Sequence, residues 1–203
     1  QQAESEAESE MILEAGSIRY HGKVYTYKKD ILTFLFLGID KEGEVKASSN
    51  LFKGGQADAL FLAVLDPGEK KISVIGINRD TMASMNVYDK NGRYSGRQTA
   101  QIALSHAYGD GLEESCENSL DAVSNLFYGL PIHGYCALNM SVVSKLNDAV
   151  GGVDVVIPES ANGLEKGWTT GAEVHLEGNA AYQFIHYRDT AQEQSAEARL
   201  ERQ

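Results

Sequence analysis

The stretch ADALFLAVLDPGEKKISVIGINRDT, residues 57–81, predicts the centre of the fold. Two apolar runs, at 59–65 and 71–77, flank the turn signal Pro67-Gly68, a pattern typical of a β-hairpin. The second run leads directly into the tripeptide Arg79-Asp80-Thr81. The segment therefore predicts two paired strands, with an arginine and a carboxylate at the edge where the second strand ends.

The tripeptide Arg-Asp-Thr occurs again at residues 188–190, where it also follows an apolar segment, AAYQFIHY. Arginine presents a planar fork of donors that fits phosphate oxygens, and an adjacent carboxylate can orient it or hold a metal ion. Two interpretations stay open from the repeat alone. The two copies either build one phosphate site from distant parts of the chain or form ordinary loop-edge salt bridges.

Length and composition indicate one globular domain: the chain has 203 residues and 42% hydrophobic content. Its net charge of −11 argues against general nucleic-acid binding, which depends on basic surface. The acidic start, QQAESEAESE, lacks apolar residues for packing, so we expect a disordered stalk at 1–19 and the domain at 20–203. Because the chain begins without Met or a signal peptide, we expect it to be a fragment of a longer protein.

Around the hairpin, predicted strands alternate with predicted helices. Residues 31–37 form a continuous apolar run that predicts a strand buried on both faces. Helices are expected at 99–108, 112–127, 140–150, 178–185 and 193–203, strands at 20–28, 134–138 and 153–157, and an exposed hairpin at 86–98. In the helix at 140–150, Val143, Leu146 and Val150 form the expected apolar face. The predicted fold class is α/β, a mixed β-sheet flanked by helices on both faces in an α/β/α sandwich.

Polar side chains stand at the ends of the predicted strands. Asp40 follows the strand at 31–37, Asp58 precedes the strand at 59–65, and Arg79-Asp80 follows the next strand. Open α/β sheets place ligands at such strand ends. A structural alternative stays open for each carboxylate, since Asp40 could be a turn residue and Asp58 a cap.

The C-terminal region adds further arginines. Arg188-Asp189 follows a predicted helix, and Arg199, Arg202 and Gln203 are spaced to share one face of the last predicted helix. This set suits a pyrophosphate bound through Mg²⁺, because carboxylates hold the hard cation and arginines neutralise the remaining anionic oxygens. The alternative for the last helix is a solvated face on which the arginines pair with neighbouring glutamates.

Eight segments in series resemble the LytR-CpsA-Psr family of cell-envelope proteins, over residues 31–203. In order they are FLFLGID, ADALFLAVLDP, KKISVIGINRDTM, IALSHAYGDG, LFYGLPIHGYCALN, LNDAVGGVDVVIPE, LEGNAAYQFIHYRD and ARLERQ. The resemblance implies a mixed sheet flanked by helices, with an apolar pocket for a polyprenyl chain. It also implies a location outside the cytoplasmic membrane, facing the cell wall, on an N-terminal membrane anchor that precedes this fragment.

The activity implied by the resemblance is the transfer of a glycopolymer, such as a teichoic acid or a capsular polysaccharide, from a polyprenyl-pyrophosphate carrier to peptidoglycan. The expected Mg²⁺ ligands are Asp40, Asp58 and Asp80. The expected pyrophosphate-binding residues are Arg79, Arg188, Arg199, Arg202 and Gln203. The expected catalytic residues are Arg79, Arg188, Asp58 and Asp80. The two arginines stabilise the leaving lipid phosphate, and one carboxylate accepts the proton of the attacking sugar hydroxyl.

Two further functions stay open beside the phosphotransferase. A polyprenyl-pyrophosphate hydrolase would use the same site with water as the acceptor, and a non-catalytic envelope protein would bind lipid phosphate or wall polymer. The second of these rests on two departures from the family pattern. Gln56-Ala57 stands where many members have an arginine shortly before the aspartate, and His186 stands where many have the first arginine of Arg-x-Arg.

Several residues have a structural interpretation as well as a functional one. His106 is expected at the edge of the core rather than as a catalytic base. Cys116 and Cys136 either form one disulfide or remain buried thiols. Eight apolar residues are candidates for a lipid pocket, although plain core is favoured for most of them: Leu35, Leu37, Leu60, Leu62, Val74, Phe127, Leu130 and Val143.

Overall fold

The computed structural model describes residues 16–41, 43, 47, 53–187, 198, 201 and 202. In chain order the elements are β1 (Ser17–Tyr20), β2 (Lys23–Thr26), β3 (Leu32–Ile39), β4 (Ala57–Asp66), β5 (Lys71–Ile77), β6 (Met82–Tyr88), β7 (Tyr94–Gln101), α1 (Leu104–Ala107), α2 (Glu113–Leu126), β8 (Gly134–Asn139), α3 (Val143–Ala149), β9 (Val153–Val156), β10 (Glu173–Leu176) and α4 (Gly178–His186). One 3₁₀ turn, Met140–Val142, precedes α3, and another, Glu159–Ala161, follows β9.

The main sheet has four strands in the order β5–β4–β3–β8. β3 runs antiparallel to β4 and parallel to β8, and β4 runs antiparallel to β5. The sheet is therefore mixed, and together with its helices it confirms the predicted α/β class. β1–β2, β6–β7 and β9–β10 form separate two-stranded pairs.

The β4–β5 hairpin forms where the sequence predicts it. Its ladder runs in register from Leu60↔Ile77 to Asp66↔Lys71. Asp66 closes the turn, because its Oδ1 accepts a hydrogen bond from the Glu69 amide at 3.1 Å. The register set at this turn therefore places Leu60 opposite Ile77 at the other end of the hairpin.

The main core lies on one face of this sheet. Leu35 and Leu37 of β3, and Leu60 and Leu62 of β4, are at most 2% exposed. The side chains packed in the same cluster come from β6, α2 and the segment before α1: Ala83, Met85, Val87, Ile102, Cys116, Ala122 and Val123. The side chains of β3 at every second position therefore contact the helices.

The prediction that β3 is buried on both faces was wrong. Leu32 and Phe36, on the other face of the strand, are 42% and 43% exposed. Ile72 and Val74 of β5 share that face and are 68% and 64% exposed. An unbroken apolar run contains no alternation that would reveal one-sided burial, and α1 and α2 pack on the opposite face.

The predicted helix at 99–108 was largely wrong. β7 continues to Gln101, because Thr99 and Gln101 pair with Ser84 and Met82 of β6. Only α1, a single turn, is helical in this region. Cross-strand pairing thus outweighed the helical spacing of residues 99–101.

The apolar face predicted for the helix at 140–150 was also wrong. Leu146 and Val150 are 52% and 68% exposed, whereas Asn147 is buried. The Asn147 side chain donates a hydrogen bond from Nδ2 to the carbonyl oxygen of Leu176 at 2.7 Å. α3 therefore turns a polar residue inward, where the backbone of β10 satisfies it.

A second, smaller core joins β10, α4 and the loop after β9. Its buried members are Ile157, Ala161, Trp168, Leu176, Ala181 and Phe184. The rings of Trp168 and Phe184 meet edge to face, with centroids 5.6 Å apart. β10 is an element that the sequence pattern did not predict, and its pairing with β9 brings Leu176 into this core.

The two ends of the chain extend beyond the described part. The expected strand at 20–28 is a hairpin, β1–β2, and β1 begins at Ser17, within the predicted stalk. Residues 1–15 lie outside the described residues, as does most of the predicted helix at 193–203, of which residues 198, 201 and 202 are helical. Within the described ranges, no helix combines the length and hydropathy needed to cross a bilayer.

Candidate functional site

Asp58 and Arg79 form an ion pair at the edge of the main sheet. Arg79 Nη1 donates a hydrogen bond to Asp58 Oδ1. The outermost ladder pair of the hairpin is Leu60↔Ile77. Asp58 lies two residues further out on β4, and Arg79 lies two residues beyond Ile77, in the turn that follows β5. Because side chains alternate along a strand, Asp58 lies on the same face of β4 as Leu60. The side chains are 7% and 18% exposed, so the ion pair is largely shielded from water.

Gln56 provides a second acceptor for the guanidinium. Its Oε1 accepts a hydrogen bond from Arg79 Nη2 at 2.6 Å. Arg79 Nε is buried and has no hydrogen-bond partner among the described residues. Asp80 Oδ1 lies 3.6 Å from Nε, which is too far for a hydrogen bond. A buried donor without a partner lowers the stability of a folded protein by about 1–3 kcal/mol. The fold therefore bears such a cost at Arg79 Nε.

Asp80 is held by the last residue of β7. Gln101 Nε2 donates a hydrogen bond to Asp80 Oδ1 at 3.0 Å. The backbone of the same turn is tied to the segment after β7, since the amides of Ile102 and Ala103 donate to the carbonyls of Thr81 and Arg79 at 2.8 and 3.1 Å. The turn that carries Asp80 is therefore fixed by β7, an element that the sequence did not connect with the site.

Residues 54–57, which we call the strap, end at the first residue of β4, next to the Asp58–Arg79 ion pair. The amide of Asp40 donates to the carbonyl of Gln56 at 2.9 Å, and the amide of Ala57 donates to the carbonyl of Ala103 at 3.1 Å. Asp40, at the end of β3, therefore lies next to the strap and on the same sheet edge as Asp58. The structure thus brings the side chains of Asp58 and Asp80 to Arg79, and it places the backbone of Asp40 beside the strap.

His106 of α1 anchors the strap. Its Nδ1 lies 2.9 Å from the carbonyl oxygen of Gly55, so the proton of the neutral ring belongs on Nδ1. Burial lowers the pKa of His106 below its usual value, which favours the neutral ring. His106 is 1% exposed. The expected structural role of this histidine is confirmed by these contacts.

The charges of this region leave room for a cation. One guanidinium (Arg79) and three carboxylates (Asp40, Asp58 and Asp80) carry a formal charge of −2. Within the described ranges, no three His, Cys, Asp or Glu side chains are grouped to hold a metal ion. Mg²⁺ commonly uses one or two carboxylates and completes its octahedron with waters and phosphate oxygens, so the donor set fits Mg²⁺ together with a bound phosphate. Asp40 and the part-exposed Asp80 suit this role better than Asp58, which Arg79 engages.

A cavity of about 340 Å³ lies beside the strap, at the ends of β3 and β8 and the start of α2. Its apolar wall consists of Ile39, Leu112, Cys116, Tyr135 and Ala137. Its polar side chains are Lys41, His106, Glu113 and Asn139. This volume is typical of a small ligand site. Ile39 lines the cavity and Asp40 follows it directly, so the cavity adjoins the carboxylates described above.

The residues that line this cavity were not the ones expected from the sequence. The plain-core interpretation holds for five of the candidate pocket residues, which belong to the main core: Leu35, Leu37, Leu60, Leu62 and Leu130. Val74 is 64% exposed. The lining residues come from several separate segments, and the only sequence signal was that they stand where strands end and a helix begins.

Of the predicted C-terminal arginines, only Arg202 lies within the described residues. Three predicted phosphate-binding residues lie outside the described residues: Arg188, Arg199 and Gln203. Arg202 is 6% exposed, and its guanidinium donates to the carbonyl oxygens of Phe184 (2.8 Å), Ser160 (2.9 Å) and Tyr187. These bonds hold the end of α4, which gives Arg202 a structural role. Its contact with pyrophosphate stays a prediction.

The two cysteines are both free. Cys116 is buried on α2 and Cys136 is exposed on β8. The disulfide interpretation was therefore wrong, and the buried-thiol interpretation holds for Cys116 alone. Burial raises the pKa of Cys116 to about 11, so its thiol stays protonated near neutral pH.

The fold is that of an α/β protein with a largely buried arginine–carboxylate pair at the ends of two neighbouring strands of its mixed sheet. The model of the LytR_cpsA_psr family matches residues 1–203. The chain belongs to the LytR-CpsA-Psr family, as the eight segments indicated.

One curated relative, from Bacillus anthracis (strain CDC 684 / NRRL 3495), is named polyisoprenyl-teichoic acid–peptidoglycan teichoic acid transferase TagU. It is 28% identical over 165 residues, which are 79% of this chain and 46% of the relative. The chain thus spans about half the length of the curated relatives that it matches.

Two solved structures share the fold. The protein gbs0355 of Streptococcus agalactiae superposes with a TM-score of 0.63 at 22% identity, over 85% of this chain and 57% of that protein. TagT of B. subtilis superposes with a TM-score of 0.58 at 19% identity, over 85% of this chain and 62% of TagT.

Proposed function

We propose that this chain carries the site of an extracytoplasmic, Mg²⁺-dependent phosphotransferase. Its substrate would be a glycopolymer linked to a polyprenyl pyrophosphate, and its acceptor a hydroxyl group of peptidoglycan. Membership of the LytR-CpsA-Psr family and the transferase name of the B. anthracis relative support this proposal.

The observation that carries the proposal is the state of Arg79. Its guanidinium is oriented by Asp58 and Gln56, and it keeps a buried N–H group without a hydrogen-bond partner among the described residues. A site for transfer of a phosphate needs fixed donors that face developing negative charge. Arg79 would provide such donors from the turn after β5, where Asp58 and Gln56 fix its side chain and the amide of Ala103 bonds to its carbonyl oxygen.

In the proposed reaction, the acceptor oxygen attacks the phosphorus that bears the glycopolymer. A new P–O bond forms to the acceptor, and the bond from that phosphorus to the bridging oxygen of the pyrophosphate breaks. Polyprenyl monophosphate leaves with the electron pair, and Arg79 stabilises the negative charge on it.

The proton of the acceptor hydroxyl goes to a carboxylate. Asp80 suits this role better than Asp58, because Asp80 is 38% exposed whereas Asp58 is 7% exposed and accepts a hydrogen bond from Arg79. When bound by Asp40 and Asp80, Mg²⁺ would neutralise anionic phosphate oxygens. The predicted residues Arg188 and Arg199 would add positive charge to a region in which carboxylates outnumber arginines.

The cavity beside the strap would hold the apolar part of the substrate next to the phosphate. Its apolar wall suits the first isoprenyl units, and its position beside Asp40 suits a pyrophosphate at the cavity mouth. Hydrophobic burial in the cavity would hold the lipid, while Arg79 holds the charged group.

A direct test is release of polyprenyl monophosphate from a polyprenyl-pyrophosphate-linked glycan in the presence of Mg²⁺ and a peptidoglycan fragment. We expect Arg79→Ala and Arg188→Ala to lower the rate at least ~100-fold, as the loss of a donor to transition-state charge commonly does. Arg93→Ala, in the exposed turn of the β6–β7 hairpin, is the matched control and should keep the wild-type rate.

Binding of the lipid by the wild-type protein without any release of phosphate, even with the acceptor present, would contradict the enzyme proposal. Equal loss of rate in the Arg93→Ala control would show that the assay reports general surface charge rather than this site.

A further inference from the structure

Gln101, the last residue of β7, connects the β6–β7 hairpin to the turn that contains Arg79 and Asp80. Its Nε2 lies 3.0 Å from Asp80 Oδ1, and the same carboxylate oxygen lies 3.6 Å from Arg79 Nε. A carboxylate oxygen only accepts hydrogen bonds, so the amide must present its NH₂ group to Asp80. One oxygen of Asp80 is therefore bonded to Gln101 and held just short of Arg79.

A small movement would let Asp80 hydrogen-bond to Arg79 instead of to Gln101. A movement of roughly 0.7 Å would bring Asp80 Oδ1 to the ordinary length of a charge-assisted hydrogen bond with Arg79 Nε. That bond would satisfy the buried donor and would shorten the ion pair that Asp80 already forms with Arg79 Nε at 3.6 Å. A guanidinium drawn closer to a second carboxylate attracts a phosphate less strongly.

We propose that Gln101 is a positioning residue, which holds the Asp80 carboxylate outside hydrogen-bonding distance of Arg79 and so keeps the guanidinium available to an anionic phosphate. The inference rests on the proposed function, since it takes the anion at Arg79 to be a phosphate group. The expected effect is on the affinity of the protein for a phosphate group, which can be measured without turnover.

The experiment is isothermal titration of the whole chain with inorganic pyrophosphate in EDTA, so that no metal ion contributes. Gln101→Leu removes the amide donor, and we expect the dissociation constant to rise ~10-fold, the factor for losing one hydrogen bond of a charged group. Gln98→Leu is the matched control, since Gln98 is an exposed glutamine of the same strand, and it should bind as the wild type does. Because Gln101 is exposed, its substitution should leave the thermal unfolding midpoint unchanged.

A second background separates positioning from a general structural effect. In Asp80→Ala there is no carboxylate left to close onto Arg79, so adding Gln101→Leu should not change the dissociation constant further. The inference is overturned if Gln101→Leu binds pyrophosphate as tightly as the wild type, or if its effect is the same with and without Asp80. It is also overturned if the wild type binds no more tightly than Arg79→Ala.

The outcome is distinguishable from failure of the proposed function. A protein that shows the expected Gln101 effect on pyrophosphate affinity, but releases no lipid phosphate in the turnover assay, would reject the phosphotransferase and leave the positioning role of Gln101 in place.

Discussion

Asp58 and Arg79 each lie two residues beyond the outermost ladder pair of the β4–β5 hairpin, Leu60↔Ile77, and Arg79 Nη1 donates to the Asp58 carboxylate. The ion pair thus joins the start of β4 to the turn that follows β5. Its geometry depends on the register of the hairpin, whose buried side chains in the main core are Ala57, Leu60, Leu62 and Ile77. Transfer of a phosphate requires side chains that are held in fixed positions.

The buried pair should contribute to stability as well as to chemistry. Asp58→Ala leaves the Arg79 guanidinium mostly shielded from water without its carboxylate. We expect the free energy of unfolding to fall by about 2 kcal/mol, the scale of a hydrogen bond between charged groups, measured by urea denaturation. Asp121→Ala is the control, because the Arg97–Asp121 pair has the same chemistry but both side chains are 38% exposed, and it should cost less than about 1 kcal/mol.

Gln56 should stabilise Arg79 through its carbonyl oxygen. Gln56→Leu removes the acceptor of Nη2 and leaves a second donor without a partner, which should cost about 1 kcal/mol in the free energy of unfolding. Gln56→Glu keeps an acceptor oxygen at the same place and should retain the wild-type stability. Equal destabilisation by both substitutions would show that packing around Gln56, and not the bond to Arg79, accounts for the effect.

His175 should titrate above its ordinary range. Its Nδ1 lies 2.7 Å from Asp154 Oδ1 and its Nε2 lies 3.0 Å from the Gly151 carbonyl oxygen, and the hydrogen bond with Asp154 raises the pKa of His175. Because the folded pKa exceeds the unfolded value of about 6.5, the associated stability is fully present below that pH and is lost as the pH rises through the folded pKa.

Asp154→Asn should therefore lower the pKa of His175, which an NMR titration of the ring protons measures. Glu173→Gln, on the strand that carries His175, is the control and should leave the titration midpoint in place. A midpoint that does not move in Asp154→Asn would contradict the assignment of the shift to this carboxylate.

The two thiols should differ in reactivity. With its pKa raised to about 11 by burial, Cys116 should resist iodoacetamide at pH 8 in the folded protein, whereas exposed Cys136 should be alkylated. Mass spectrometry should show one added group in the native protein and two after denaturation, with no prior reduction needed. A requirement for reductant before either group is added would contradict the free-thiol assignment.

The hairpin could be predicted because it depends on local signals. The turn signal Pro67-Gly68 between two apolar runs predicts the pairing of β4 with β5. The ion pair between Asp58 and Arg79 was not predicted, because the sequence places both residues near strand ends without showing that their side chains meet. Recognition of the family added the expectation that these residues handle pyrophosphate. No comparable local signal marks Gln101, because its contact with Asp80 exists only once β6 and β7 have paired.

The errors in the secondary-structure prediction have the same origin. The spacing of Leu146 and Val150 indicated a core face for α3, but the position of β10 makes Asn147 the buried residue. β10 itself has only four residues and depends on β9 for its hydrogen bonds. Tertiary pairing, which a single sequence does not display, decided both outcomes.

Arg79 is proposed to direct transfer of a glycopolymer phosphate from a lipid carrier to a wall acceptor. The most direct measurement is ³¹P NMR of a polyprenyl-pyrophosphate-linked glycan incubated with the protein, Mg²⁺ and a soluble peptidoglycan fragment. With the wild-type protein, we expect the two pyrophosphate signals to be replaced by one phosphodiester signal on the acceptor and one phosphomonoester signal of polyprenyl monophosphate. We expect Arg79→Ala to abolish this change. Persistence of the pyrophosphate signals with the wild-type protein, or equal conversion by Arg79→Ala, would rule out the proposed role of Arg79.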